Sequence, residues 1–290
     1  MEKEPKINSE KEKGKDSVDF IRHSVSSYKT YGKIVSSDNP TAQFNPDEQV
    51  TPDLPEKGIE LAKQEAEKYF AELDPQKDIV FFVSSNEARA VETANIFRQT
   101  AHKKGFEVVK PEHSRSKLSD EIAEGEIRVL QNLSIYPDDE SNSVLDGIFN
   151  PPARRGKVNW EAVKDTELKA RYDKASAIIE ADDRGSFGAN FAVHSEAIKQ
   201  ILPEITTAEE LYKTQFQNLI KLLKFGIEKA KKVGLEKNIK IMAFGHENYL
   251  MLALEKMFQE DGIKNCEVIH FSEVEDKVKA EFRGKETNIK

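Results

Sequence analysis

Apolar positions follow two periods along this chain. Short, nearly unbroken apolar runs alternate with longer stretches in which apolar residues recur at helical spacing. Val18-Asp19-Phe20-Ile21 reads as a strand, and a loop rich in Ser, Pro and Asp follows to about Leu54. Pro55 and Glu56 then open a helix whose Ile59, Ala62, Ala66, Tyr69, Phe70 and Leu73 share one face, and Asp74-Pro75 ends it. Ile79-Val80-Phe81-Phe82-Val83 is continuous, as expected of a strand buried on both faces. Ser84 and Glu87 have capping-box spacing and predict a helix through Thr100, with a strand over Phe106-Glu107-Val108-Val109 after it. Late in the chain the same reading predicts a helix from Ala208 to Lys232 and a strand from Ile239 to Phe244. A helix from about Asn248 to Gln259 and a closing strand from Cys266 to Phe271 complete it.

This alternation predicts an α/β fold, a three-layer α/β/α sandwich with a mostly parallel central sheet. The stretch from about 111 to 204 breaks the rhythm. It carries a candidate hairpin strand over Glu126 to Ile135, a turn over Tyr136 to Ser143, Pro151-Pro152, and a charged helix over Trp160 to Glu180. It is expected to be an inserted cap over one edge of the sheet. Residues 1–16, dominated by Lys and Glu, are expected to form a disordered arm. The main domain then spans 17–272, and 273–290 is read as a charged tail that frays, with Val278 and Phe282 as its docking candidates.

Composition narrows the possible partners. The chain has 290 residues, enough for one large domain with an insertion. With 52 acidic against 44 basic residues and a net charge of −8, sequence-independent binding to nucleic acid is disfavoured. The single cysteine, Cys266, excludes an internal disulfide framework and a zinc site of paired cysteines. No apolar run is long enough to span a bilayer, and Met1 to Lys6 lacks the apolar segment of a secretory signal. A soluble, cytoplasmic protein with no membrane partner is expected; the sequence is silent on oligomeric state.

Phosphate-loop, dinucleotide-loop, zinc-protease and nucleophile-elbow motifs are all absent. What remains is three polar sites, each just after an apolar strand: Arg22-His23, Arg89 and His246. In open α/β sheets ligands bind at the carboxyl ends of the strands. Two arginines and two histidines gathered there suit a dianionic phosphoryl group. Arginine offers a fork of donors matched to its oxygens, and a neutral imidazole can attack phosphorus.

The segment Val18-Asp19-Phe20-Ile21-Arg22-His23-Ser24-Val25-Ser26 resembles the strand and Arg-His-Gly-x-Thr/Ser signature of the histidine phosphatase (phosphoglycerate mutase-like) superfamily. Leu54-Pro55-Glu56-Lys57-Gly58-Ile59-Glu60-Leu61-Ala62 is similar to its Leu-Thr-x-x-Gly-x-x-Gln-Ala helix start. Ser84-Ser85-Asn86-Glu87-Ala88-Arg89-Ala90-Val91-Glu92-Thr93-Ala94 is similar to its Ser-Ser-x-x-x-Arg-Ala-x-x-Thr-Ala helix, and Phe244-Gly245-His246 occupies the place of its second histidine. The likeness covers roughly 17–110 and 208–271.

The resemblance implies a phosphatase that hydrolyses a small phosphomonoester through a phosphohistidine, with no metal and no cofactor. A mutase-like phosphotransferase and a non-catalytic binder of phosphorylated ligands are the alternatives on the same fold. His23 is then the nucleophile, with Arg22, Arg89 and His246 completing the phosphate pocket. Ser26 matches the signature hydroxyl, and Lys29 falls where many members carry an Asn near the phosphate.

Three departures stand out. Ser24 replaces the signature Gly; Glu247 follows His246 where mutase-like members have Gly and acid phosphatases an Asp proton donor; and no Leu-x-Glu motif follows the third strand. Glu247 and, second, Asp146 are the candidate general acids. The competing structural readings put Glu247 in a helix's first turn, Asp146 in a turn before Gly147, and Glu87 in the capping box. His194 is either a cap or a substrate contact. Arg115, Lys117, Arg154, Arg155, Lys157 and His194 of the insertion either hold an anionic substrate, a small metabolite or phosphosugar, or are solvated charges that balance the acidic residues around Asp138 to Glu140.

Overall fold

A computed structural model describes residues 16–27, 51–111, 116–130, 166–183, 187–203, parts of 205–228, 236–247, 250–274 and 277–289. Eight strands form one mixed sheet: β1 (Ser17–Arg22), β2 (Asp78–Ser84), β3 (Glu107–Val108), β4 (Ile127–Val129), β5 (Asn238–Gly245), β6 (Val268–Val274), β7 (Lys277–Phe282) and β8 (Lys285–Ile289). The order is β3-β2-β5-β1-β6-β7-β8, with β4 also on β2. At the core, β3, β4 and β5 all run parallel to β2, and β1 runs parallel to β5. From β6 onward every pairing is antiparallel.

The helices follow from apolar stripes. In α1 (Glu56–Ala71), Gly58, Ala62, Ala66 and Phe70 recur every fourth position and are buried. In α2 (Ala88–Lys103) burial extends round most of the helix, including Arg89, Thr93 and Arg98. Further along come α3 (Lys117–Ala123), α4 (Thr166–Glu180), α5 (Phe187–Ile201), α6 (Ala208–Leu211) and α7 (Met251–Phe258). Successive side chains of a strand point to opposite faces, and two buried clusters take alternate residues of the sheet. Ile21, Val80, Phe82, Met242 and Phe244 pack with residues of α1, α2 and α3. Val18, Phe20, Ile79, Val83 and Ile241 pack with Tyr172, Ala175, Phe191 and Ile198 of α4 and α5 and with α7.

Several expectations are corrected. The tail read as fraying is instead the β7–β8 hairpin. Val278, Ala280 and Phe282 alternate inward, while Lys277, Lys279 and Glu281 of the same strand alternate with them. The closing strand, β6, is antiparallel to β1 and is not the last. The segment read as a hairpin strand gives β4, which extends the parallel edge of β2 beyond β3. The capping box at Ser84 and Glu87 is not formed: Glu87 is the N-cap of α2, and its side chain caps nothing. The helix expected from Ala208 begins with a Thr207/Glu210 capping box and passes at Tyr212–Phe216 into a π-turn, where those two rings stack. Most of the expected arm, the turn over Tyr136 to Ser143 and Pro151-Pro152 lie outside the described residues.

Candidate active site

β1 ends on Arg22 opposite Gly245 of β5, and β2 ends on Ser84 opposite Phe244. The residues that follow therefore emerge together at one edge of the sheet. The His23 N–H donates to the Gly245 carbonyl at 2.9 Å, and the Ser85 N–H donates to that of Phe244 at 2.9 Å, so the ladders run one residue past the strands. The His23 and His246 rings lie 4.9 Å apart between centroids, inclined at 58°. Ser85 Oγ sits 2.9 Å from His246 Nε2. The structure thus brings together three of the four residues named from sequence at the strand ends. Arg89, in the first turn of α2, is fully buried, and its charge acts on His23 as Arg22's does.

The state of His23 follows from its contacts. Its Nδ1 lies 2.7 Å from the Ser24 carbonyl oxygen, which can only accept, so Nδ1 carries the proton and Nε2 the lone pair. Burial, and then the charges of Arg89 and Arg22, push its pKa well below the ordinary 6.5. Near neutral pH it is an uncharged imidazole, unprotonated at Nε2 and within the fields of Arg89 and Arg22. That combination can attack an electron-poor phosphorus and hold the oxygens around it.

The backbone behind His23 is fixed from three sides. The Ser24 N–H donates to Thr93 Oγ1 at 3.0 Å, the Thr93 hydroxyl donates to the Arg89 carbonyl at 2.6 Å, and the Ser24 hydroxyl donates to the Gly58 carbonyl at 2.6 Å. Ser24 is accommodated because the close approach falls elsewhere: a Cβ on Gly58 would lie 2.1 Å from the Val25 carbonyl oxygen. Glu92 accepts the backbone N–H groups of Asp53 and Leu54, clamping the loop that enters α1. The Asn265 side-chain amide donates to the His23 carbonyl at 2.8 Å. Sequence reasoning missed Glu92 and Asn265. Glu92 lay inside the motif that names Arg89 and could have been suspected; Asn265 has no signal.

Glu247 lies ahead of α7, and its carbonyl accepts the N–H groups of Leu250 and Met251. The reading that placed it in the first helical turn is therefore corrected. Its carboxylate meets Arg22 at 2.6 Å; burial raises its pKa, and Arg22 opposes that rise. Glu87, assigned to a capping box from sequence, instead pairs with Arg89 at 2.7 Å inside the protein. Ser26 places a buried hydroxyl near the signature with no hydrogen-bond partner among the described residues. Lys29, Asp146, Arg115, Arg154, Arg155 and Lys157 lie outside the described residues. His194 is neither a helix cap nor at the strand ends: it sits in mid-α5, with Nε2 2.6 Å from an Asp182 carboxylate oxygen.

The fold is similar to that of several solved structures. One is a phosphoglycerate mutase from Bacillus anthracis: 15% identity, 94% of this chain and 91% of that chain, TM-score 0.46. Another is a phosphoserine phosphatase from Entamoeba histolytica in complex with 3-phosphoglyceric acid: 15% identity, 88% and 90%, TM-score 0.38. A third is a multiple inositol polyphosphate phosphatase from Bifidobacterium longum in complex with inositol hexasulfate: 11% identity, 99% and 88%, TM-score 0.46. No protein-family model matches the sequence, and neither does any curated protein.

Proposed function

We propose that the protein is a histidine-type phosphatase acting on a small phosphomonoester. The observation that carries this is His23 itself: buried, neutral, with Nδ1 committed to the Ser24 carbonyl, and set beside His246 and within the fields of Arg22 and Arg89. His23 Nε2 attacks phosphorus in line and displaces the alcohol oxygen. Glu247 protonates that oxygen, and water then hydrolyses the phosphohistidine to inorganic phosphate. Arg22 and Arg89 neutralise the charge on the transferring group, a task that elsewhere falls to a metal ion. Ser26 and Lys29 complete the reading of the phosphate pocket. In the same proposal helices layer both faces of the sheet, and the substrate is an anionic metabolite.

Hydrolysis of p-nitrophenyl phosphate is the test. Turnover is expected to survive a chelator and to fall by at least about a thousandfold in His23→Ala. Retention of most of the activity by that variant would overturn the assignment.

A further inference from the structure

Both arginines of the proposed pocket are already matched to carboxylates. Arg22 Nη1 lies 2.6 Å from Glu247, and Arg89 Nη1 lies 2.7 Å from Glu87. Two positive side chains act on a neutral His23, each is paired with a carboxylate, and the four charges of the proposed pocket cancel before any anion enters. A dianion seated there leaves it two charges negative in a poorly screened environment, unless a proton follows.

We propose that binding of a phosphate dianion at this site is coupled to the uptake of one proton from solvent by Glu247. The inference rests on the reading of the pocket as a phosphate site. Geometry selects Glu247 over Glu87. Glu87 is fully buried at the N-terminus of α2, where the helix dipole favours a carboxylate. Glu247 is partly exposed to the solvent that must deliver the proton. An anion that draws the Arg22 guanidinium to itself removes the positive charge facing Glu247 and sets a negative one nearby. Both changes raise the carboxyl's proton affinity, and burial already acts in that direction.

Other titratable groups lie in the pocket and on the loop before β6. His23 is held neutral by burial and by the two arginines. His246 Nε2 lies 2.9 Å from the Ser85 hydroxyl, and uptake at its ring would persist in Glu247→Gln. On the loop before β6, burial pushes the Cys266 thiol up to about 11, so it stays protonated, and Glu267 is engaged by Arg283. The proton balance then closes over one turnover. Solvent protonates Glu247 as substrate binds, and the leaving alcohol oxygen takes that proton as the phosphorus–oxygen bond breaks and the bond to His23 forms. The restored carboxylate accepts a proton from the water that hydrolyses the phosphohistidine, and returns it to solvent as inorganic phosphate leaves.

Inorganic sulfate is the probe, because it is a tetrahedral dianion that takes up no proton of its own near neutrality. Calorimetric titration in buffers of different ionisation enthalpy is expected to show about one proton absorbed per sulfate bound. The dissociation constant should rise by up to about tenfold per pH unit above neutrality. In Glu247→Gln sulfate should bind at least as tightly, with proton uptake and pH dependence both lost. Sulfate binding to the wild type with no proton uptake overturns the coupling alone, as does uptake that persists in Glu247→Gln. Failure of the wild type to bind sulfate removes the anion-pocket reading itself, and the coupling with it.

Discussion

The backbone turn that carries His23 depends on the absence of one carbon atom opposite it. Gly58 faces the Val25 carbonyl so closely that a Cβ would lie 2.1 Å from its oxygen, while the carbonyl of the same glycine receives the Ser24 hydroxyl. Moving either backbone displaces the segment just after His23. Gly58→Ala is therefore expected to lower stability by about 1–3 kcal/mol, as overpacking does elsewhere. On the proposed mechanism it should also reduce kcat for p-nitrophenyl phosphate by more than it changes KM, because His23 is displaced while Arg22 and Arg89 stay in place to hold the anion. Urea denaturation together with steady-state kinetics checks both. Unchanged stability and unchanged kcat would show that the α1–β1 contact relaxes without consequence.

One buried network ties the elements around β1 together. Asp19 accepts a hydrogen bond from the Tyr69 hydroxyl of α1 on one carboxylate oxygen and pairs with His270 Nδ1 of β6 on the other. Burial raises its pKa, but the charge and hydrogen bond of His270, the Tyr69 hydroxyl and the charge of Lys240 outweigh that, and the carboxyl titrates below its ordinary value. A lowered carboxyl pKa contributes stability that is complete above the unfolded value, about 3.9, and is lost as pH falls through the folded one. Asp19→Asn is expected to cost about 1.5–3 kcal/mol at neutral pH. In urea titrations across the acid range, the gap between wild type and variant should begin to narrow below about pH 3.9 and close once pH passes the lowered folded value. A gap that stays constant there would assign the loss to packing. This network and the β7–β8 hairpin show where the sequence was hard to read. Asp19 and His270 stand 251 positions apart, and nothing local pairs them. The alternation Val278, Ala280, Phe282 was visible, but the lysines and glutamates between them read as a solvated tail, when they are the other side of a strand whose inward face is buried.

At the scale of the molecule, the sheet order explains why so much of the candidate site was legible. β1, β2 and β5 lie side by side and parallel, so motifs that each follow an apolar run in the sequence converge at one edge. Arg22, His23 and His246 were found that way; Ser24, which replaces the signature Gly, sets its hydroxyl on the Gly58 carbonyl, and the close approach falls at Gly58 instead. Glu87 was misread because its partner, two residues on, is reached only once α2 turns both side chains inward. Asn265 reaches His23 across the antiparallel β1–β6 junction, which no local pattern announces. Among the described residues no helix is long and apolar enough to cross a membrane. The central claim is that His23 carries the phosphoryl group, and the direct measurement is to catch it there. The wild-type protein is mixed with labelled phosphomonoester, quenched during turnover in alkaline denaturant, and mapped by mass spectrometry. The account predicts phosphorylation at His23, absent in His23→Ala and decaying in step with release of inorganic phosphate. Turnover with no modified histidine, or with the phosphoryl group on another residue, would contradict it.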